Sequence, residues 1–186
     1  MIKNIFKNIS YKLRGISNEQ LSLNANLKNG MKVGKNVYGL IGCTIDYGNS
    51  WLIEIGDDVI FAPQVYLLAH DTSTKRSLGY TRIGKIKIGN KCFIGARVTI
   101  MPNVEIGENT IVGTNSLVTK SFPPNVVIAG NPAKIICTVA EYEMKIKSEF
   151  DTAPKFDGSY TVLGGITDDK REEMIFKMSE NVGFVK

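Results

Sequence analysis

Residues 88–120 read "IGNKCFIGARVTIMPNVEIGENTIVGTNSLVTK". An aliphatic residue returns at every sixth position, as Ile88, Ile94, Ile100, Ile106, Val112 and Val118. The residue after it is usually glycine (Gly89, Gly95, Gly107, Gly113), and the fifth place of each unit is small or β-branched (Cys92, Val98, Val104, Thr110, Ser116). A period of six matches neither the 3.6-residue helix nor the alternation of a hairpin ladder. Short strands separated by turns do match it: the aliphatic residue points inward, and glycine or asparagine is expected to supply a positive-φ corner. Stacked in parallel, such units pair with copies of themselves about 4.8 Å above and below and build a solenoid. The alternative is an irregular β-sandwich, but sandwiches do not hold one phase over six units.

Working back from this stretch, the same unit recurs as "VGKNVY" from Val33 and as "IGDDVI", "FAPQVY" and "LLAHDT" from Ile55, Phe61 and Leu67, with slips in phase over residues 39–54. The repeat therefore covers about residues 33–122 and is broken once, over residues 70–87. His70, the single histidine of the chain, stands where the break begins.

The flanks differ from the repeat. Ile2, Ile5, Phe6, Ile9 and Leu13 follow helical spacing with Lys3, Lys7, Lys12 and Arg14 off the stripe, which predicts an amphipathic helix within residues 1–32. Packing against the solenoid or a neighbouring subunit is the expected role, and membrane-surface association the alternative. Beyond the repeat, residues 135–186 are expected to form a helical extension that caps the solenoid. One helix starts near Thr138. A second is signalled by Thr167, then Asp168 and Asp169, with Met174, Ile175, Met178 and Val182 as its apolar stripe. Pro154, Gly158, Gly164 and Gly165 between them mark a loop or short hairpin.

Composition excludes several classes. A net charge of +5 with Lys and Arg scattered leaves no nucleic-acid footprint. Three cysteines, Cys43, Cys92 and Cys137, without CxxC spacing indicate neither a disulfide framework nor a zinc site, and are read as reduced core thiols. No apolar run reaches the roughly 20 residues that span a bilayer, and the N-terminus lacks a signal-peptide core, so the expected location is the cytoplasm.

The hexapeptide units, the break at "LLAHD", the resumption at "IKIGNKCFIGARVTI" and the ending "VVIAGNPAK" together resemble the hexapeptide-repeat acyltransferases, closest to the maltose, galactoside and surface-polysaccharide O-acetyltransferase group. The resemblance spans about residues 33–134. It implies a left-handed parallel β-helix, a homotrimer with active sites between subunits, acetyl-coenzyme A as donor with no metal, and a carbohydrate or glycan-precursor acceptor.

It also implies roles for particular residues. His70 matches the family's general base, and a neutral imidazole can accept the hydroxyl proton while the oxygen attacks the thioester directly, without an acyl-enzyme. Backbone N–H groups at Gly95 or Ala96 are candidates to stabilise the oxyanion. The family's donor-binding turns correspond to Gly95 and Ala96 in "IGA", Gly113 and Thr114 in "VGTNS", Thr119 and Lys120 in "VTK", and Asn131, Pro132, Ala133 and Lys134 in "GNPAK". Asp71, Tyr80 and Arg82 are candidates for the acceptor, Asp71 also for orienting the imidazole. Two departures from the family pattern are Asn103 in place of a common glycine, tolerated in a left-handed turn, and Phe93 in place of a frequent tryptophan.

Within the same fold, sugar-nucleotide N-acetyltransferases and antibiotic acetyltransferases share the histidine and stay open as alternatives. Three-histidine zinc carbonic anhydrases are excluded by the single histidine. A non-catalytic scaffold is the reading from outside enzymology.

Overall fold

The computed structural model describes residues 17–179 and 182–186; the predicted amphipathic helix of residues 2–14 lies outside them. Two compact units divide the chain, one ending at Val139 and one running Ala140–Lys186.

In the first unit, helix α1 (Asn18–Lys28) precedes a series of strands two or three residues long: β1 (Lys32–Val33), β2 (Thr44–Ile45), β3 (Ile53–Ile55), β4 (Ile60–Phe61) and β5 (Tyr66–Leu67). A hairpin follows, made of β6 (His70–Asp71), a single helical turn α2 (Lys75–Leu78) and β7 (Arg82–Ile83). The series then resumes with β8 (Ile86–Ile88), β9 (Phe93–Ile94), β10 (Thr99–Ile100), β11 (Val104–Ile106), β12 (Ile111–Val112) and β13 (Leu117–Val118), and closes with β14 (Val126–Gly130) and β15 (Ala133–Thr138).

These strands sort into three parallel sheets in strict rotation. The first sheet is β1-β3-β8-β11, the second β4-β9-β12-β14 with β15 antiparallel at its edge, and the third β2-β5-β10-β13. Each circuit of the chain gives one strand to each sheet, and single bridges, Tyr38 to Ile60 and Ile106 to Phe122, extend the rotation at both ends. Register holds the hexads in line: Ile53 and Ile55 stand beside Ile86 and Ile88, Phe61 beside Ile94, and Leu67 beside Ile100.

The rotation buries what the periodicity selects. Ile88, Ile94, Ile100, Ile106, Val112 and Val118 are at most 1% exposed, as are the fifth-place residues Cys92, Val98, Val104, Thr110 and Ser116. Each buried Ile or Val contributes about 1.5–3 kcal/mol. The two hydroxyls bury without penalty because they are bonded: Thr110 Oγ1 donates to the Pro123 carbonyl at 3.3 Å, and Ser116 Oγ donates to the Gly113 carbonyl at 2.6 Å while accepting from Gly130 N–H at 3.1 Å.

One expectation holds for asparagine and fails for glycine. The repeat glycines do not make the positive-φ corners; Lys91, Arg97, Asn103, Asn109 and Asn115 do, with φ between 51° and 65°. Glycine is required for a different reason, the close approach of stacked circuits. A Cβ on Gly95 would lie 2.6 Å from Thr114 N and 2.7 Å from the Val112 carbonyl, and one on Gly107 would lie 2.3 Å from Pro124 N. The glycines form columns through which backbone packs on backbone. The cysteine reading is also narrowed: all three are free, but only Cys92 is buried, Cys43 and Cys137 being half-buried.

The second unit contains all but the first residue of α3 (Val139–Thr152), and β16 (Lys155–Phe156), α4 (Asp168–Lys177) and β17 (Phe184–Val185). Both helices start where the sequence places them, α3 just after Thr138 and α4 from extended Thr167 with Asp168 and Asp169 in its first turn, although the Thr167 side chain makes no cap hydrogen bond. Two details depart from expectation. The strand after Pro154 makes no local hairpin but pairs in parallel with β17. The stripe on α4 is not a buried face either: the helix ends at Lys177, and Ile175 is 70% and Val182 60% exposed. The unit is held instead by aromatic packing, Phe150 edge-on to Phe184 at 5.0 Å, and by Tyr160 Oη donating to Glu173 at 2.7 Å.

Candidate active site

The corner between the third and first sheets builds the site. Ile45 and Leu67 are inward partners in adjacent circuits, so the residues after them stack at the same corner. Asp46 follows Ile45; its N–H donates to the Leu67 carbonyl at 3.0 Å, and its side chain is turned inside, only 1% exposed. One circuit later Leu68 donates to the Ile100 carbonyl at 3.0 Å, Ala69 is buried, and His70 opens the hairpin.

The result is a paired imidazole. His70 Nδ1 lies 2.5 Å from Asp46 Oδ2, the carboxylate being buried and the ring 39% exposed. A carboxylate accepts only, so Nδ1 carries the proton toward Asp46 and Nε2 is left with its lone pair. The ring is thereby fixed in orientation and in tautomer, with its basic nitrogen on the side away from Asp46.

Asp71 has other work. Its Oδ1 accepts from Ser73 N–H at 2.9 Å, closing the turn of the hairpin, and it stands opposite Arg82 in the antiparallel pair. Those Ser73 hydrogen bonds, with help from the charge of Arg82, hold its carboxyl below the usual aspartate value. Thr74 Oγ1 donates to the Tyr80 carbonyl at 3.1 Å, and Gly79 ends α2 at φ 75°. Tyr80 is 80% exposed and Arg82 is exposed. The hairpin ends at Ile83, and the sheet resumes at Ile86.

The remaining sequence-selected residues fall at two places. Gly95, Ala96, Gly113 and Thr114 lie at the other end of the third sheet, the corner entered from the second sheet. There Asn115 N–H donates to the Ala96 carbonyl at 2.8 Å, and a Cβ on Gly113 would meet Ala129 of β14 at 2.9 Å. The Gly95 N–H is spent on the Val112 carbonyl at 2.8 Å, which removes it as an oxyanion donor. Thr119 and Lys120 lie past β13 at the His70 corner, two circuits or about 10 Å further along the stack. Asn131, Pro132 and Lys134 are exposed at the turn joining β14 and β15, where the Asn131–Pro132 bond is cis, while Ala133 packs inward. Asp46 is the residue that sequence reading missed; its only signal is that it follows an inward aliphatic residue in the stretch where the phase slips.

Among the described residues no cluster of three or more His, Cys, Asp or Glu is placed to hold a metal, and no helix is long and apolar enough to cross a membrane.

Residues 85–120 match the family described as bacterial transferase hexapeptide (six repeats). Over 107 residues the chain is 39% identical to the galactoside O-acetyltransferase of Escherichia coli (strain K12), covering 56% of this chain and 52% of that one. It also resembles the solved structure of a galactoside acetyltransferase in complex with coenzyme A, with a TM-score of 0.52 and 32% identity, over 61% of this chain and 67% of that one. The chain spans about half the length of the first curated relatives it matches.

Proposed function

We propose that this chain, which belongs to the bacterial hexapeptide-repeat transferases, moves an acetyl group from acetyl-coenzyme A to a hydroxyl of a carbohydrate, in the cytoplasm and in the service of surface-polysaccharide synthesis. The observation that carries the reading is the pairing of His70 with buried Asp46 at the root of a hairpin that leaves an otherwise regular frame.

His70 Nε2 takes the acceptor hydroxyl's proton as the oxygen attacks, and Asp46 holds the ring and balances the charge that forms on it. The donor supplies a thioester carbonyl and a thiol leaving group. With the Gly95 N–H spent, the oxyanion role passes to the Ala96 amide. Exposed Thr114, Thr119, Lys120 and Lys134 suit the amides and phosphates of the donor, whereas Gly95 and Gly113 serve the stacking of circuits.

The three-sheet rotation is that of a parallel β-helix over residues 33–134, left-handed by family likeness. Assembly as a homotrimer is supported by where the parts fall: His70 stands at one edge of the third sheet and the Gly95 column at the other. A second copy brings the two kinds of group together. The outer face of the second sheet carries a column of apolar side chains, Tyr38, Ile60 and Phe93, each 42–64% exposed, suited to that contact.

Thiol release from acetyl-coenzyme A in the presence of a panel of sugars tests the proposal. His70→Ala is expected to lower turnover by about 10²–10⁴-fold. Unchanged turnover in that variant would sink it.

A further inference from the structure

Charge in the first unit is unevenly placed. Residues 70–85 carry Lys75, Arg76, Arg82 and Lys85 against a single carboxylate, Asp71; the rest of residues 17–139 carries eight cations and seven carboxylates. Of the net +4 of residues 17–139, +3 therefore sits on residues 70–85, the stretch that starts at His70.

The sheets handle charge differently. On the first sheet the outward column alternates Lys32, Glu54, Lys87, Glu105 and pairs off, Lys32 to Glu54 at 3.6 Å and Lys87 to Glu105 at 3.0 Å. Lys75 and Arg76 on the hairpin, and Lys85 just past its end at Ile83, do not pair in this way: among the described residues none of the three is in an ion pair. Asp71 cannot offset them, being bonded to Ser73 N–H and set opposite Arg82. Leu78 and Tyr80 add exposed apolar surface between the cations, at 66% and 80% exposure.

We propose that the acceptor is anionic, a glycan bearing a carboxylate or phosphate, and that Lys75, Arg76 and Lys85 read that charge while His70 addresses a neighbouring hydroxyl. The proposal rests on the transferase reading for the role of His70. Unpaired cations on and just past the hairpin that His70 opens raise the local concentration of an anionic partner, and neutral glycans gain nothing from them. The competing user of the same charges is the donor, whose phosphates are also anionic, so the test must separate the two.

Calorimetric titration with trigalacturonate, glucose 6-phosphate and neutral maltotriose, alongside coenzyme A, makes the separation. At low ionic strength one anionic sugar should bind at least ten-fold more tightly than maltotriose, and which one does so distinguishes carboxylate from phosphate. Lys75→Glu/Arg76→Glu should abolish that advantage and leave coenzyme A affinity within two-fold, while the charge-matched Lys28→Glu/Lys145→Glu should preserve it. Raising salt from about 0.05 M to about 0.5 M should erode it, since the Debye length shrinks several-fold. Equal binding of all three sugars, an advantage that survives in the hairpin variant, or a loss confined to coenzyme A would each overturn the proposal. Charge-selective binding without thiol release from any acceptor would remove the transferase reading instead.

Discussion

Asp46 Oδ2 and His70 Nδ1 are 2.5 Å apart although twenty-four residues separate them in the chain. One circuit of the three-sheet rotation lies between them, and the parallel pairing of Ile45 with Leu67 brings the two residues to the same corner. A carboxylate 1% exposed, with a half-exposed imidazole as its partner, is costly as mere architecture. As a device for orienting a base it is economical.

Asp46→Asn keeps the shape and a hydrogen-bonding group but can present its amide N–H to Nδ1, favouring the wrong tautomer. The expected outcome is a fall in kcat of about 100-fold, with KM for donor and acceptor each changed by less than about three-fold. Steady-state thiol release measures both. A variant with wild-type kcat would assign the pair to structure alone.

Gly95→Ala tests the column packing. The added Cβ would meet backbone at 2.6 Å and 2.7 Å, where no flexible side chain can give way. Overpacking of this kind costs about 1–3 kcal/mol, which for a chain of this size is a loss of about 2–12 °C in Tm. Gly79→Ala is the contrast: nothing lies within 4 Å of its Cβ, and only the φ of 75° opposes it. Its cost should stay near about 1 kcal/mol. Equal melting temperatures for wild type and Gly95→Ala would contradict the packing.

Ser116→Ala removes the hydroxyl that joins Gly113 of one circuit to Gly130 of β14. The Gly130 N–H loses its partner, at a cost of about 1–3 kcal/mol. The expected signature is local: faster amide exchange at Gly130 and its neighbours, with exchange in β8 and β11 little changed. Uniform acceleration through all three sheets would instead mean that the hydroxyl supports the whole stack.

How much of this could be read from the sequence follows from what repeats and what does not. The inward residues of residues 88–120 were legible because six positions serve one physical purpose in each circuit. His70 was legible because a break in such a pattern is conspicuous. Asp46 was not, because the 3-10 turns Leu40–Gly42 and Tyr47–Leu52 absorb extra residues on either side of it and the phase slips there. Helix α1 was invisible for a different reason: its buried residue is Asn26, and apolar periodicity cannot find a polar anchor. The glycines were found for the wrong reason, since close approach and positive φ leave the same residue in the sequence and only φ itself separates them.

Cys43 gives the stability of the fold a pH dependence with a definite sign. Burial among β2 and β5 pushes its thiol up to about 11, from an ordinary 9.0, and burial raises Cys92 as well. Between those values the folded chain holds a proton that the unfolded chain has lost, so stability must fall as pH climbs. Below about pH 9 the contribution is complete; it drains away as pH rises toward about 11. Urea midpoints at closely spaced pH values should show this decline, and Cys43→Ala should flatten part of it. The same protonation predicts slow alkylation: at pH 8 a thiol titrating near 11 is about 0.1% thiolate. Iodoacetamide should label Cys43 at least about a hundred-fold faster in the urea-unfolded chain than in the native one. Native labelling of Cys43 at the rate of the unfolded chain would mean that the thiol is not held in the partly buried place against the core that raises it.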